Sequence, residues 1–177
     1  MALGELFSFV SGLYFRGKLA YARAFSAPSN GLSGSFVITA GAGLLSPDDT
    51  ITIDQIQQWL TTDIAAGHER YRAPLDRDCR SLSEKLGQHA DVVLLGSIAT
   101  PKYVDPLLEV FGERLLFPAE FVGRGDMSRG GLMLRAVDAR QELAYIPVLS
   151  ATRHGRRPPK LLPMQPRRLF KNPKTSN

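Results

Sequence analysis

The chain has little cysteine and histidine, with one Cys and three His among 177 residues. A single cysteine, Cys79, cannot form an internal disulfide. The three histidines, His68, His89 and His154, stand too far apart in the sequence to show the spacing of a metal site. The sequence therefore predicts neither a disulfide framework nor a bound metal or other cofactor, and we expect a reducing, cytoplasmic location.

Long hydrophobic runs and internal repeats are also missing. The apolar N-terminal stretch has no basic residue before it and is interrupted by Gly4, Glu5 and Ser8. It therefore differs from a signal peptide and is about half as long as the ~20 residues that span a membrane. No repeat with a period of about 20–50 residues is visible, which excludes a solenoid. A hydrophobic share of 44% predicts one globular domain with its own core and no membrane contact.

Acidic residues are absent from the last 25 positions. Residues 153–177 hold eight of the 22 basic side chains and five of the 12 prolines, whereas residues 1–152 carry a net charge of −3. Prolines interrupt helices and central strands, so we predict an α/β domain over residues 1–152 and a flexible basic tail over residues 153–177. Its cations suit the phosphates of a nucleic acid. The alternative is a solubilising tail, or one that docks on the acidic body through Leu161, Leu162 and Phe170.

Hydrophobic spacing in the first half of the chain predicts helices and one strand. We expect a turn-rich loop after the strand, Asp54 as the cap of the third helix, and a surface connection before the fourth. The predicted segments are helices at 3–13 and 18–25, a strand at 35–40, a loop at 41–49, a helix starting near 54, a connection at 63–74 and a helix at 76–86.

The second half shows a clearer pattern. An apolar strand at 91–95 is followed by a helix that starts at Thr100 and Pro101 and stops at Gly112, and then by a strand at 114–118. This order is typical of a parallel crossover unit. A further strand is predicted at 143–149. The predicted fold class is a single α/β domain with a mixed, largely parallel sheet flanked by helices.

The turn between the 91–95 strand and its helix is the first candidate binding site. Ligands in open α/β sheets bind beyond the carboxyl ends of strands, where helix N-termini offer free N–H groups to anions. The turn lacks the P-loop ending and the Gly-x-Gly-x-x-Gly pattern, and capping with close packing is an alternative explanation. The candidate ligand-binding residues here are Gly96, Ser97, Thr100 and Lys102.

A Gly/Arg-rich stretch at 121–131 is the second candidate site. It contains four glycines, two arginines, one acid and one hydroxyl. Glycines let backbone N–H groups converge on an anion, and arginines grip phosphate with paired hydrogen bonds. The alternative is a mobile loop with a local Arg–Asp pair. The candidate ligand-binding residues are Gly123, Arg124, Gly125, Ser128, Arg129 and Gly130.

No catalytic triad is recognisable, because Ser97 lacks a nucleophile-elbow pattern and no histidine has a diagnostic context. If the protein is an enzyme, Asp126 or Asp48 would serve as general base, and Ser97 or Tyr103 would position the substrate. Two of these residue types also have a non-catalytic, structural explanation. Aspartates that follow a proline usually shape a turn, and Tyr103 fits a core position.

Several segments together resemble a known group of proteins. They comprise a Leu-Tyr helix at 11–25, a strand and Gly-Leu-Leu-x-Pro-Asp loop at 36–51, and Leu95-Gly96-Ser97 with Lys102-Tyr103. This pattern is similar to bacterial and phage domains of unknown function that are related to the peroxide-stress YaaA family. The resemblance implies an α/β domain, a groove between two loops and association with DNA. It also implies that a set of residues lies close together, namely Gly43, Leu44, Pro47, Asp48, Gly96, Ser97 and Tyr103.

The sequence thus leaves three functions open. The leading prediction is a protein that binds nucleic acid, a nucleotide or a phosphorylated ligand at the sheet edge. The second is an enzyme acting on a nucleotide, a nucleobase or a small phosphorylated substrate. The third is a non-catalytic protein-interaction module.

Overall fold

The computed structural model describes residues 1–28, 31–65 and 67–162, which form six α-helices and five short strands. The first two helices are α1 (Leu3–Val10) and α2 (Gly12–Phe25). The predicted helix at 3–13 is therefore divided, and the one at 18–25 starts earlier. Gly12 has a φ of +56°, a left-handed conformation that glycine adopts at little cost, and this turns the chain from α1 into α2.

Helix α1 is fixed to the loop that follows the first two strands. The N–H of Leu3 donates to the carbonyl of Asp49 at 2.9 Å, and the N–H of Gly4 donates to the carbonyl of Pro47 at 2.7 Å. In return the N–H of Ile51 donates to the carbonyl of Met1 at 3.1 Å. These bonds satisfy N–H groups that a helix start leaves without partners.

Strands β1 (Val37–Ile38) and β2 (Leu44–Leu45) form an antiparallel hairpin. The first is shorter than the predicted strand at 35–40, and the second lies inside the predicted loop at 41–49. Gly43 closes the turn with a φ of +69°. A Cβ at Gly43 would lie 2.7 Å from the carbonyl oxygen of Pro74, so the hairpin meets the fourth helix at backbone distance.

The next two helices correct the predicted boundaries. Helix α3 (Ile53–Leu60) is capped by Thr52 and not by Asp54, because the Thr52 hydroxyl accepts the N–H of Gln55 while the Gln55 side chain accepts the N–H of Thr52. Helix α4 (Glu69–Leu86) includes residues 69–74 of the predicted connection. Pro74 lies inside this helix. Because proline usually interrupts helices, its presence favours a connection over a helix in a prediction from sequence.

The crossover unit is confirmed. Strand β3 (Val92–Val93) is followed by α5 (Pro101–Phe111) and by β4 (Leu115–Pro118), and the two strands pair in parallel. Strand β5 (Tyr145–Pro147) pairs antiparallel with β4 on the other side. The mixed α/β class is thus confirmed. The three-stranded sheet is mixed, as predicted, but it is not largely parallel, because the described strands give it one parallel and one antiparallel pairing, and the β1–β2 hairpin is a separate sheet.

The largest departure from the sequence prediction is helix α6 (Asp126–Ala139), which occupies half of the stretch interpreted as a Gly/Arg loop. Gly130 and Gly131 both lie within it. A glycine inside a helix costs about 0.5–1 kcal/mol relative to alanine, so local propensity disfavours a helix here. Packing against α2 offsets that cost.

Helices α2 and α6 cross at backbone contact. A Cβ on Gly17 would lie 2.7 Å from the carbonyl oxygen of Gly130, and a Cβ on Gly130 would lie 2.8 Å from the carbonyl oxygen of Leu13. Both glycines are buried. The crossing therefore requires a glycine on each helix, and it brings the neighbouring polar side chains of the two helices together.

The core lies where α4, α5 and α6 cover the three-stranded sheet. Its fully buried side chains include Tyr71 and Leu75 from α4, Val104 from α5, Phe117 from β4 and Met133 from α6. Among the described helices, none has both the length and the apolar character needed to cross a bilayer.

Candidate functional site

The residues of the first candidate site follow β3 at the carboxyl end of the parallel pair. The Ser97 hydroxyl accepts the N–H of Ala99 at 3.3 Å, which is a local turn contact. Thr100 precedes α5 without a hydrogen bond from its side chain. The Lys102 ammonium lies 4.8 Å from the centre of the Tyr103 ring. Within the described residues, no hydrogen bond or ion pair joins this turn to the second candidate site.

The residues of the second candidate site divide between two flanks of α6. We call them the groove flank and the α2 flank. The groove flank carries Ser128, Gly131 and Arg135, which are three or four residues apart and so share one helix face, together with Arg124, which precedes the helix. The α2 flank carries Asp126, Arg129 and Gly130. Arg124 and Arg129, which were expected to act together, therefore face different surroundings.

Arg124 organises the groove flank. Its Nε donates to the carbonyl of Glu120 at 2.8 Å, and its Nη1 donates to the Ser128 hydroxyl at 3.3 Å and to the carbonyl of Pro159 at 3.4 Å. Arg135 donates to the carbonyl of Leu162. These bonds fix the chain at 157–162 along the helix.

A close contact of backbones holds the beginning of the basic tail in place. Gly123 has a φ of +72°, and a Cβ there would lie 2.2 Å from the carbonyl oxygen of Arg156. A Cβ on Gly155 would lie 2.3 Å from the Val122 side chain. Leu161 packs against the core. The described part of the tail, 153–162, thus contacts the body, while the rest of the predicted flexible tail, including Phe170, lies outside the described residues.

Between α6 and residues 157–161 runs an open groove of about 290 Å³, which we call the basic groove. Among the described residues, those that line it include four cationic side chains and no acidic one. The Nε of Arg135 is buried without a hydrogen-bond acceptor among the described residues. The lining residues are Arg124, Gly125, Met127, Ser128, Gly131, Arg135, Arg157, Pro158, Pro159, Lys160 and Leu161.

The α2 flank is much more enclosed. The Arg129 side chain is only 11% exposed. Its Nε donates to the carbonyl of Phe121 at 3.3 Å, and its guanidinium lies 5.7 Å from the centre of the Phe121 ring. Its Nη1 is 3.6 Å from a carboxylate oxygen of Asp126, whose side chain is 67% exposed. Gly130, predicted to bind ligand, is buried against α2.

Two polar residues of α2 complete this flank, and the sequence analysis did not identify them. The Lys18 ammonium lies 4.0 Å from the centre of the Tyr14 ring. Burial lowers the pKa of Lys18 from 10.5 to about 8, with Asp126 opposing this shift and Arg129 adding to it. Burial also raises the pKa of Tyr14, against the influence of Arg129. The signal in the sequence is that Tyr14, Gly17, Lys18 and Tyr21 share one helix face, which places a cation among core positions.

The four candidate catalytic residues are not gathered into one site. Asp48 pairs with Arg23 at 2.6 Å, and its side chain is 74% exposed. Asp126 lies beside Arg129 on α6, whereas Ser97 and Tyr103 lie around the start of α5. No hydrogen bond or ion pair within the described part of the chain links any two of them.

The residues that the resemblance expects to lie close together, such as Leu44 and Tyr103, belong to segments that contact α4 at two different points. The N–H of Leu44 donates to the Asp78 carboxylate at 3.0 Å, and the Tyr71 hydroxyl donates to the carbonyl of Lys102 at 2.9 Å. Asp78 and Tyr71 are two helical turns apart. The hairpin loop and the β3–α5 turn therefore contact α4 at different levels.

No family model matches the chain, and neither a curated protein nor a solved structure is significantly similar to it. The relation to the YaaA family accordingly stays a prediction from the motifs.

Proposed function

We propose that the protein binds nucleic acid through its phosphate backbone in the basic groove. The observation that carries the proposal is the convergence of Arg124, Arg135, Arg157 and Lys160 on one groove whose lining includes no acidic residue. Arginine forms paired hydrogen bonds with phosphate oxygens, and each phosphate that displaces a counterion adds affinity. Such contacts do not depend on the base sequence.

The dimensions and lining of the groove favour a polymer over a free nucleotide. Its volume of about 290 Å³ is close to the lower limit of the range of about 300–1,000 Å³ that is usual for small-molecule pockets. Its lining offers no aromatic ring on which a base could stack. An open basic groove therefore suits a strand that passes through it.

The sequence supplies further cations on the C-terminal side of the groove. Beyond Leu162 the chain carries four more basic residues and no acid. The contributions of separate phosphate contacts add together. A long nucleic acid that contacts both the groove and these further basic residues would therefore bind more tightly than one that contacts the groove alone. These cations are Arg167, Arg168, Lys171 and Lys174.

The residues of the basic groove overlap only in part with the binding residues predicted from the sequence. Arg124, Gly125 and Ser128 line the groove, whereas Arg129 and Gly130 face α2. The turn from Gly96 to Lys102 is not among the groove residues. We therefore place phosphate binding on α6 and the chain at 157–161.

The test is fluorescence-anisotropy titration of the full chain with single-stranded DNA, duplex DNA and RNA over a series of salt concentrations. The variant is Arg157→Gln with Lys160→Gln, and the matched control is Arg80→Gln with Lys85→Gln on the exposed face of α4. Each phosphate contact contributes about 0.7–0.9 to the slope of log K against log salt. We expect the groove variant to lower that slope by about 1.5 and the affinity by about tenfold or more.

Both variants remove two positive charges, but the control should retain the slope and affinity of the original chain because Arg80 and Lys85 lie outside the groove. Equal losses in the two variants would show that net charge, and not the groove, governs binding. Absence of binding to all three nucleic acids would refute the proposal.

A further inference from the structure

The α2 flank contains hydrogen-bond donors without acceptors. The Tyr14 hydroxyl is buried with Arg129 as a polar neighbour, and its O–H has no acceptor among the described residues. The Lys18 ammonium has neither a hydrogen bond nor a carboxylate within 4.0 Å in the same part of the chain. A buried hydroxyl without an acceptor is rare because it has lost its interaction with water, whereas the half-buried Lys18 ammonium keeps part of its exposure to solvent.

Arg129 adds positive charge to the same place. Its Nε donates a hydrogen bond to the carbonyl of Phe121, but its Nη1 lies 3.6 Å from the nearest carboxylate oxygen of Asp126. That separation exceeds a normal hydrogen bond. The cluster of Tyr14, Lys18 and Arg129 therefore has two cations and three groups that donate, with one largely exposed carboxylate nearby.

We propose that Tyr14, Lys18 and Arg129 bind a single oxyanion, the phosphate or carboxylate group of a small ligand. A tetrahedral or planar oxyanion accepts several hydrogen bonds at once and supplies the negative charge that the cluster lacks. The site lies on the α2 flank of α6, opposite the basic groove, and goes beyond the proposed function. It does not depend on whether the groove binds nucleic acid.

The charge state of Lys18 agrees with this site. The charged groups that act on Lys18 within the described structure are Asp126 and Arg129, and burial lowers its pKa to about 8. A bound anion favours the ammonium form and would raise that pKa, and by linkage affinity falls when Lys18 loses its proton. Anion binding should therefore weaken as the pH rises through about 8.

The test uses sulfate and acetate, whose charges stay constant across this pH range, and follows backbone amides by NMR. The variants are Lys18→Met, which keeps an unbranched apolar stem, and Lys85→Met on α4 as the matched control. We expect anion-dependent shifts at residues 14–18 and 126–130, about tenfold or more weaker binding in Lys18→Met, and no change in Lys85→Met. Arg124→Gln, in the groove, should leave these shifts intact.

The two anions also identify the ligand class. Stronger sulfate binding supports a phosphate-bearing ligand, and stronger acetate binding supports a carboxylate. Binding to the original chain should be weaker at about pH 9.5 than at about pH 6.5, with a smaller difference in Lys18→Met. Shifts confined to the groove flank, or equal affinity in Lys18→Met and the original chain, would overturn the proposal.

A second variant guards against loss of folding in Lys18→Met. Tyr14→Phe removes only the unpartnered hydroxyl, so the helix crossing is kept and one donor is lost. We expect about threefold to tenfold weaker anion binding in this variant. Unchanged affinity in a folded Tyr14→Phe protein would overturn the three-residue site that we propose.

Discussion

The two flanks of α6 differ in what their residues do, although they belong to one helix. On the α2 flank, Arg129 is nearly enclosed and Gly130 is in backbone contact with the neighbouring helix. On the groove flank, Arg124 and Arg135 line an open, basic channel. The enclosed α2 flank therefore contributes to packing, whereas the groove flank carries the polyanion binding that we propose. Substitutions on the two faces should therefore separate these properties.

The adjacent glycines give the sharpest comparison of the two flanks. A Cβ on Gly130 would lie 2.8 Å from a backbone oxygen of α2, whereas one on Gly131 would meet only the Leu161 side chain at 3.7 Å. We expect Gly130→Ala to lower the free energy of unfolding by about 2 kcal/mol through overpacking. Gly131→Ala should raise it by about 0.5–1 kcal/mol through helix propensity. Urea denaturation of both variants measures this difference, and similar effects would contradict the backbone contact.

The pH dependence of stability tests the α2 flank through Lys18. Its folded pKa of about 8 lies below the usual 10.5, so between these values the folded protein holds a neutral amine while the unfolded chain still binds a proton. Folding then releases a proton, and stability rises with pH. We expect a gain on the order of 2 kcal/mol across this window, after allowance for partial exposure.

The measurement is urea denaturation at several pH values from about 7.5 to about 9.5, where most tyrosines keep their protons. In Lys18→Met, the free energy of unfolding should no longer increase with pH. At the lower pH values this variant should be more stable than the original chain. A rise of equal size in Lys18→Met would show that another group causes it.

Exchanging one arginine on each flank gives the smallest effect on stability. Arg129→Gln removes a mostly buried guanidinium and its bond to Phe121, so we expect a loss of about 1–2 kcal/mol in the free energy of unfolding. Arg124→Gln should cost less than about 1 kcal/mol, since its bonds are largely exposed, but weaken nucleic-acid binding about tenfold. Thermal denaturation measures the loss of stability in each variant, and anisotropy measures the loss of binding. A larger loss of stability in Arg124→Gln than in Arg129→Gln would contradict the different roles assigned to the two flanks of α6.

Local patterns in the sequence were sufficient for the crossover unit. Two short apolar runs flank a helix that begins with Thr100 and Pro101 and ends at Gly112, and each of these signals acts over a few residues. They needed no knowledge of distant contacts. The structure therefore agrees with the predicted order of strand, helix and strand.

Helix α6 could not be predicted in this way. The glycines at 130 and 131 argue against a helix, and only the distant segment around Leu13 and Gly17 explains why one of them is required. Similarly, Pro74 concealed the first turns of α4. In both helices, tertiary packing outweighs local propensity.

The candidate site was predictable in its residue types and not in its arrangement. Arg124 and Ser128 were identified from the Gly/Arg-rich stretch, but the opposite wall comes from residues 157–161, about 30 positions later in the chain. No sequence period links these segments. Lys18 was missed because a single lysine on a helix is usually solvated, and its burial depends on α6.

Because one wall of the basic groove is the single segment 157–161, one proteolytic cleavage before it would disrupt the groove. Exposed arginines at 153 and 156 precede that wall, and trypsin-like proteases cleave after an arginine that is not followed by proline. One cleavage there would detach Lys160 and every cation beyond it while leaving the sheet and α6 intact. Proteolysis after Arg153 or Arg156 would then leave a mildly acidic domain without the cations on which the proposed polyanion binding depends, in one irreversible step.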